Sequence, residues 1–79
     1  MPLITIKVLK DALTEAQKLE MIRRVTDVVA GIESSPETVK SFKPYIWCLI
    51  EEIDHGNWGV GGSVVTLGML DVITGGNKT

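Results

Sequence analysis

The chain has 79 residues, 44% of them hydrophobic, and a net charge of −2. So short a chain buries a small share of its surface and usually needs a supplement, yet Cys48 is its only cysteine, and Cys48 with His55 matches no metal-ligand spacing. The acidic balance argues against nucleic-acid binding, and no apolar run reaches the length of a membrane span.

The supplement left is further copies of the same chain, so composition alone predicts a homo-oligomer. Residues 1–79 read as one domain, with no internal repeat. The amino terminus has no basic stretch of the kind that opens a signal peptide, which with the lone cysteine favours the cytoplasm. No cofactor is implied.

In chain order, residues 3–9 alternate as a strand: Ile4, Ile6 and Val8 on one face, Leu3, Thr5, Lys7 and Leu9 on the other. Pro2 falls on the side of Ile4 and Ile6, where a strand's first residue loses little by lacking an N–H. Lys10–Leu13 is a connection. Thr14 and Gln17 form a capping box, and Leu19, Ile22, Val25, Val29 and Ile32 then recur at helical spacing. This predicts a helix over about 15–32, weakened near its end by Gly31. Ser35-Pro36 signals a second, short helix through about Lys40, which Lys43-Pro44 breaks.

Tyr45–Ile53 reads as a second strand whose apolar run suits cover on both faces, in a right-handed parallel β-α-β unit. Four glycines crowd into residues 56–62, which requires a turn with positive φ angles or close backbone approach. Ser63–Leu70 is either a short strand or a helical turn, and Thr74–Thr79 reads as a loose tail. Two parallel strands and one helix do not make a viable isolated domain. Topology therefore predicts the oligomer a second time.

The start Met-Pro-Leu-Ile-Thr-Ile-Lys-Val, the capping box, the amphipathic helix and the turn Asn57-Trp58-Gly59-Val60-Gly61-Gly62, in that order, resemble the 4-oxalocrotonate tautomerase family over about residues 2–66. The resemblance implies an α/β (α+β) fold with a β-α-β subunit, assembled as a hexamer (a trimer of dimers). It implies a catalytic amino-terminal proline, matched by Pro2 once Met1 is removed, acting as general base or acid on enol and keto acids. It also implies that the aromatic wall of the site, beside the proline, is Trp58.

Two positions depart from the family. Its best-known members hold a dicarboxylate with one arginine after the first strand and another early in the second. Here the first loop reads Lys10-Asp11-Ala12-Leu13, and the second position is Trp47. Lys10 and Lys43 stand near those loops as candidate carboxylate-binding charges, although a lysine lacks arginine's bidentate fork. Monoacids are the expected substrates.

The chemistry suits a proline. An α-amino group ordinarily titrates near about 7.7–8.0, and an apolar pocket disfavours its charged form. A base poised near working pH contributes roughly 10²–10⁴-fold in rate. Trp58, with Trp47, would wall the pocket, though both also fit packing roles. Cys48 reads as a small buried hydrophobe, His55 as a solvated turn residue, and Arg23 and Arg24 as solvated or paired with Glu20 and Asp27. Two other functions stay open: addition of water to, or loss of halide or CO₂ from, an unsaturated acid with Glu51 or Glu52 activating water, and a non-catalytic oligomeric module.

Overall fold

The computed structural model describes residues 2–75. Alternating β-branched residues build β1 (Leu3–Leu9), and the Thr14 capping box opens α1 (Glu15–Glu33). The box is complete: the Gln17 amide donates to the Thr14 hydroxyl (3.1 Å), and the Thr14 amide donates to the Gln17 side-chain oxygen (2.9 Å). Two orphan amides of the first turn are thereby satisfied. The helix continues two residues past Gly31 and stops where Ser34, in extended conformation, donates its N–H to the Ala30 carbonyl.

The second short helix departs from expectation. Ser35 does not cap it. Its hydroxyl and its amide both engage the Thr38 hydroxyl, at 3.0 and 3.1 Å, and fold residues 35–38 into a turn. Helix α2 (Val39–Phe42) follows, and Pro44 does not break the chain there. The run continues as a 3-10 turn over Lys43–Tyr45, with Pro44 in a first-turn position where its missing N–H leaves no bond unmade. Tyr45 is therefore in the turn, and β2 begins two residues later than expected, at Trp47–Ile53.

Strands β1 and β2 pair in parallel from Leu3 opposite Trp47 to Leu9 opposite Ile53. Ile4, Ile6, Val8, Cys48 and Ile50 are half-buried on the side of α1, and Lys18 clamps the helix there by reaching Glu52 (2.9 Å) as well as Glu15 (2.7 Å). The opposite sheet face is covered near Leu9 by the chain that follows β2 and is open around Leu3, Trp47 and Leu49. Trp47 is 61% exposed and Leu49 45%, so the two-sided cover expected of β2 is not made within one chain.

After β2 the glycines do what their spacing predicts. Gly61 (φ 59°) and Gly62 (φ 86°) form the two-residue turn of a hairpin, β3 (Gly59–Val60) with β4 (Ser63–Val64), and positive φ at both positions is what such a tight turn demands. The undecided segment is both things in succession. Strand β4 gives way at Thr66, which caps α3 (Leu67–Thr74), and Gly75 ends that helix in the left-handed region. The end of the expected tail, residues 76–79, lies outside the described residues, as does Met1.

The core is thin. The buried hydrophobic residues are Leu9, Ala12 and Ala30, while Ile32, Val72 and Ile73 are each more than three-quarters exposed. The accessible surface of 5724 Å² exceeds by about 1,000 Å² that of a compact monomer of this size. The radius of gyration, 15.5 Å, stands well above the roughly 12 Å of a compact chain.

Candidate active site

The sequence-selected residues fall at two ends of the sheet. At the start of the strands stands Pro2, half-buried, whose carbonyl accepts a hydrogen bond from the Trp47 amide at 3.1 Å. This bond begins the parallel ladder and ties the Pro2 carbonyl to the sheet. Trp47 projects onto the open face. Lys43, four residues upstream, is held by Asp27 of α1 at 2.5 Å. Asp27 thus pairs with Lys43, while Arg24 pairs with Glu20 at 3.0 Å.

At the far end the β1–α1 loop meets the loop after β2. The Lys10 amide donates to the Ile53 carbonyl (2.8 Å), and the Lys10 ammonium faces Asp54 at 3.9 Å. His55 Nε2 lies 2.8 Å from the Lys10 carbonyl and 3.5 Å from an Asp11 carboxylate oxygen. With one ring nitrogen donating to a carbonyl, His55 ties the two loops together. The Asp11 backbone, at φ 69°, takes a sharp turn that a non-glycine residue rarely adopts.

Trp58 is half-buried at this same end and lines two adjoining cavities. One, about 310 Å³, is bounded by Lys7, Ile53, Asn57 and Gly59. The other, about 380 Å³, lies beneath the hairpin and α3 and is walled by Leu9, Val60, Val65, Leu70 and Ile73, again with Lys7. Pro2 lies five residues from Lys7 along β1, roughly 17 Å at strand rise. Within one chain, then, Pro2 and Trp47 are brought together, Lys10 and Trp58 share the other end, and the expected meeting of Trp58 with the proline does not occur.

Of the two carboxylates in β2, Glu52 is firmly engaged and Glu51 only loosely. Glu52 is held below its ordinary range by hydrogen bonds, first from Lys18 and then from the Asp11 amide. Glu51 faces Lys7 across the strands at 3.9 Å, both side chains more than half exposed. Sequence reasoning did not select Lys7. Its signal was a lone cation on the strand face that also carries Leu3 and Leu9, opposite Glu51 in the register.

Among the described residues no cluster of three or more His, Cys, Asp or Glu side chains is placed to hold a metal, and no helix is long and apolar enough to cross a membrane.

Comparison with known proteins decides the family. The tautomerase enzyme model matches residues 2–68, from the proline through the hairpin into the first turn of α3. The chain belongs to the tautomerase family. A probable tautomerase, K2, of Dickeya dadantii (strain 3937) is 33% identical over 67 residues, covering 84% of this chain and 90% of that protein. No solved structure matches significantly. This chain is thus a tautomerase-type enzyme with a β-α-β fold, and most of α3 lies past the matched residues.

Proposed function

We propose that this tautomerase is a cytoplasmic homo-oligomer, a hexamer of one-domain subunits arranged as a trimer of dimers. It moves a proton between carbon and oxygen of enol and keto acids, using the secondary amine of Pro2 after removal of Met1. The neutral amine takes a proton from the enol hydroxyl or the α-carbon, and the resulting ammonium returns it to the other atom. Trp58 of the partner subunit excludes water and keeps the amine in an apolar setting, where its neutral form is favoured.

The observation that supports this reading is the separation of Pro2 and Trp58 at opposite ends of a sheet whose face and edges are unpaired. A complete pocket then needs two chains set end against end. Lys43 is held by Asp27, and Lys10, paired only loosely with Asp54, lines neither Trp58 cavity. The water-adding alternative loses Glu52, which is committed to Lys18, and would rest on Glu51 alone.

The test begins with intact mass, where loss of one methionine is expected. Pro2→Ala should then keep the assembly and lose at least about a hundredfold in ketonisation of phenylenolpyruvate. The wild type should lose activity as pH falls, because acid protonates a base that must be neutral. A retained Met1 with full activity, or an undiminished Pro2→Ala, overturns the assignment.

A further inference from the structure

Among the residues lining the two Trp58 cavities, Lys7 is the sole ionisable side chain, and it lines both. The larger cavity, about 380 Å³, is within the usual size of small-molecule sites, roughly 300–1,000 Å³. Its other walls are apolar, and two of them, Leu70 and Ile73, come from α3. A cation at the edge of an apolar recess must find an anion or remain hydrated. The anion present is Glu51, 3.9 Å away and half exposed, a loose pair of the kind that contributes little.

We propose that Lys7 binds the carboxylate of the substrate and that the Trp58–α3 cavity receives its apolar group, so that the enzyme selects monocarboxylic enol or keto acids carrying an aryl or branched alkyl substituent. The ligand carboxylate takes the place of Glu51 at the Lys7 ammonium, a neutral exchange of one ion pair for another. The substituent stacks on the Trp58 ring and against Leu70 and Ile73. A second carboxylate on the ligand meets an apolar lining with no cation there and must give up part of its hydration, which is disfavoured. Lys7 acts by binding and leaves proton transfer to another group. The proposal deepens the reading of Pro2 as the proton carrier and rests on it only for catalysis, not for binding.

The experiment is calorimetric titration of the intact oligomer with 3-phenylpropionate, which cannot tautomerise, and with adipate as a dicarboxylate of similar length. Wild type is expected to bind 3-phenylpropionate and to bind adipate at least about tenfold more weakly. Lys7→Gln should weaken 3-phenylpropionate binding by roughly tenfold or more, and Lys7→Arg should restore most of it. Glu51→Gln, by removing the competing anion, should tighten it roughly two- to fivefold. A lysine with a merely structural role predicts no gain from that change.

Pro2→Ala should bind 3-phenylpropionate as wild type does while turning over no phenylenolpyruvate. Active Pro2→Ala with Lys7-dependent binding defeats the proline reading and leaves this one standing. Binding unchanged in Lys7→Gln, adipate binding as tight as that of 3-phenylpropionate, or no binding to wild type overturns the Lys7 site.

Discussion

Lys18 is the side chain that fastens α1 to the sheet, and its pairing sets a pH window. Hydrogen bonds to Glu15 and Glu52 raise its pKa above the ordinary 10.5, and the reciprocal bond holds Glu52 below its ordinary 4.5. The Glu52 contribution is fully present above pH 4.5 and fades as pH falls through its lowered value. That of Lys18 is present below 10.5 and fades as pH rises through its raised value. Glu52→Gln should therefore lower Tm modestly at pH 7 and leave it nearly unchanged at the acid end, where the wild-type carboxyl is protonated too. Equal losses at both pH values would mean that the clamp acts by packing alone. The order of motifs singles out Pro2 and Trp58 as candidate site residues. It does not single out Lys7, because strand alternation marks that lysine as merely outward-facing, and only the return of the hairpin and α3 over its end of the face turns it into a cavity wall.

At the scale of elements, legibility followed how local the cause was. β1 and the start of α1 were readable to the residue, since alternation and a capping box act over a few neighbours. The Ser35–Tyr45 segment was misread because Ser35 pairs with Thr38 instead of capping a helix, and because a 3-10 turn accommodates Pro44. The apolar run of β2 anticipates cover on both faces, and within one chain only the α1 side is supplied. Two glycines test the same distinction between local and distant causes. Gly62 sits at φ +86° with open space around the missing side chain, so Gly62→Ala is opposed by backbone strain alone and should destabilise by about 1–2 kcal/mol. Because Trp58 and Val60 flank this hairpin, activity should fall with it. Gly31 also faces open space but lies at ordinary helical φ, so Gly31→Ala should stabilise by roughly 0.5–1 kcal/mol. Urea unfolding of both variants checks the opposite signs. Two variants that move the same way would show that the contrast in φ does not control stability here.

For the molecule as a whole, the apolar residues left outside are more numerous than the few inside, and they occupy every exposed element: Leu3, Trp47 and Leu49 on the open sheet face, Val60 and Val64 on the hairpin, Met69, Val72 and Ile73 on α3. Covering a large apolar side chain is worth about 1.5–3 kcal/mol, so a chain that leaves these in water forgoes much of what should hold it folded. The proposed assembly would recover it, and the same contacts would bring Pro2 of one chain to the Trp58 cavity of another. Stability, assembly and catalysis should therefore fall together. Leu49→Asp, in the middle of the open face, is harmless to an isolated chain, since position 49 is 45% exposed there and the charge stays hydrated. In the proposed assembly it would place a carboxylate inside an apolar interface, at several kcal/mol per subunit. Sedimentation of Leu49→Asp should show dissociation, its activity on phenylenolpyruvate should drop at least tenfold, and wild-type Tm should rise with protein concentration, as mass action requires when folding is linked to association. A Leu49→Asp protein that sediments as a single chain and keeps full activity would mean that one subunit completes its own site, and the end-to-end pairing of Pro2 with Trp58 would have to be abandoned.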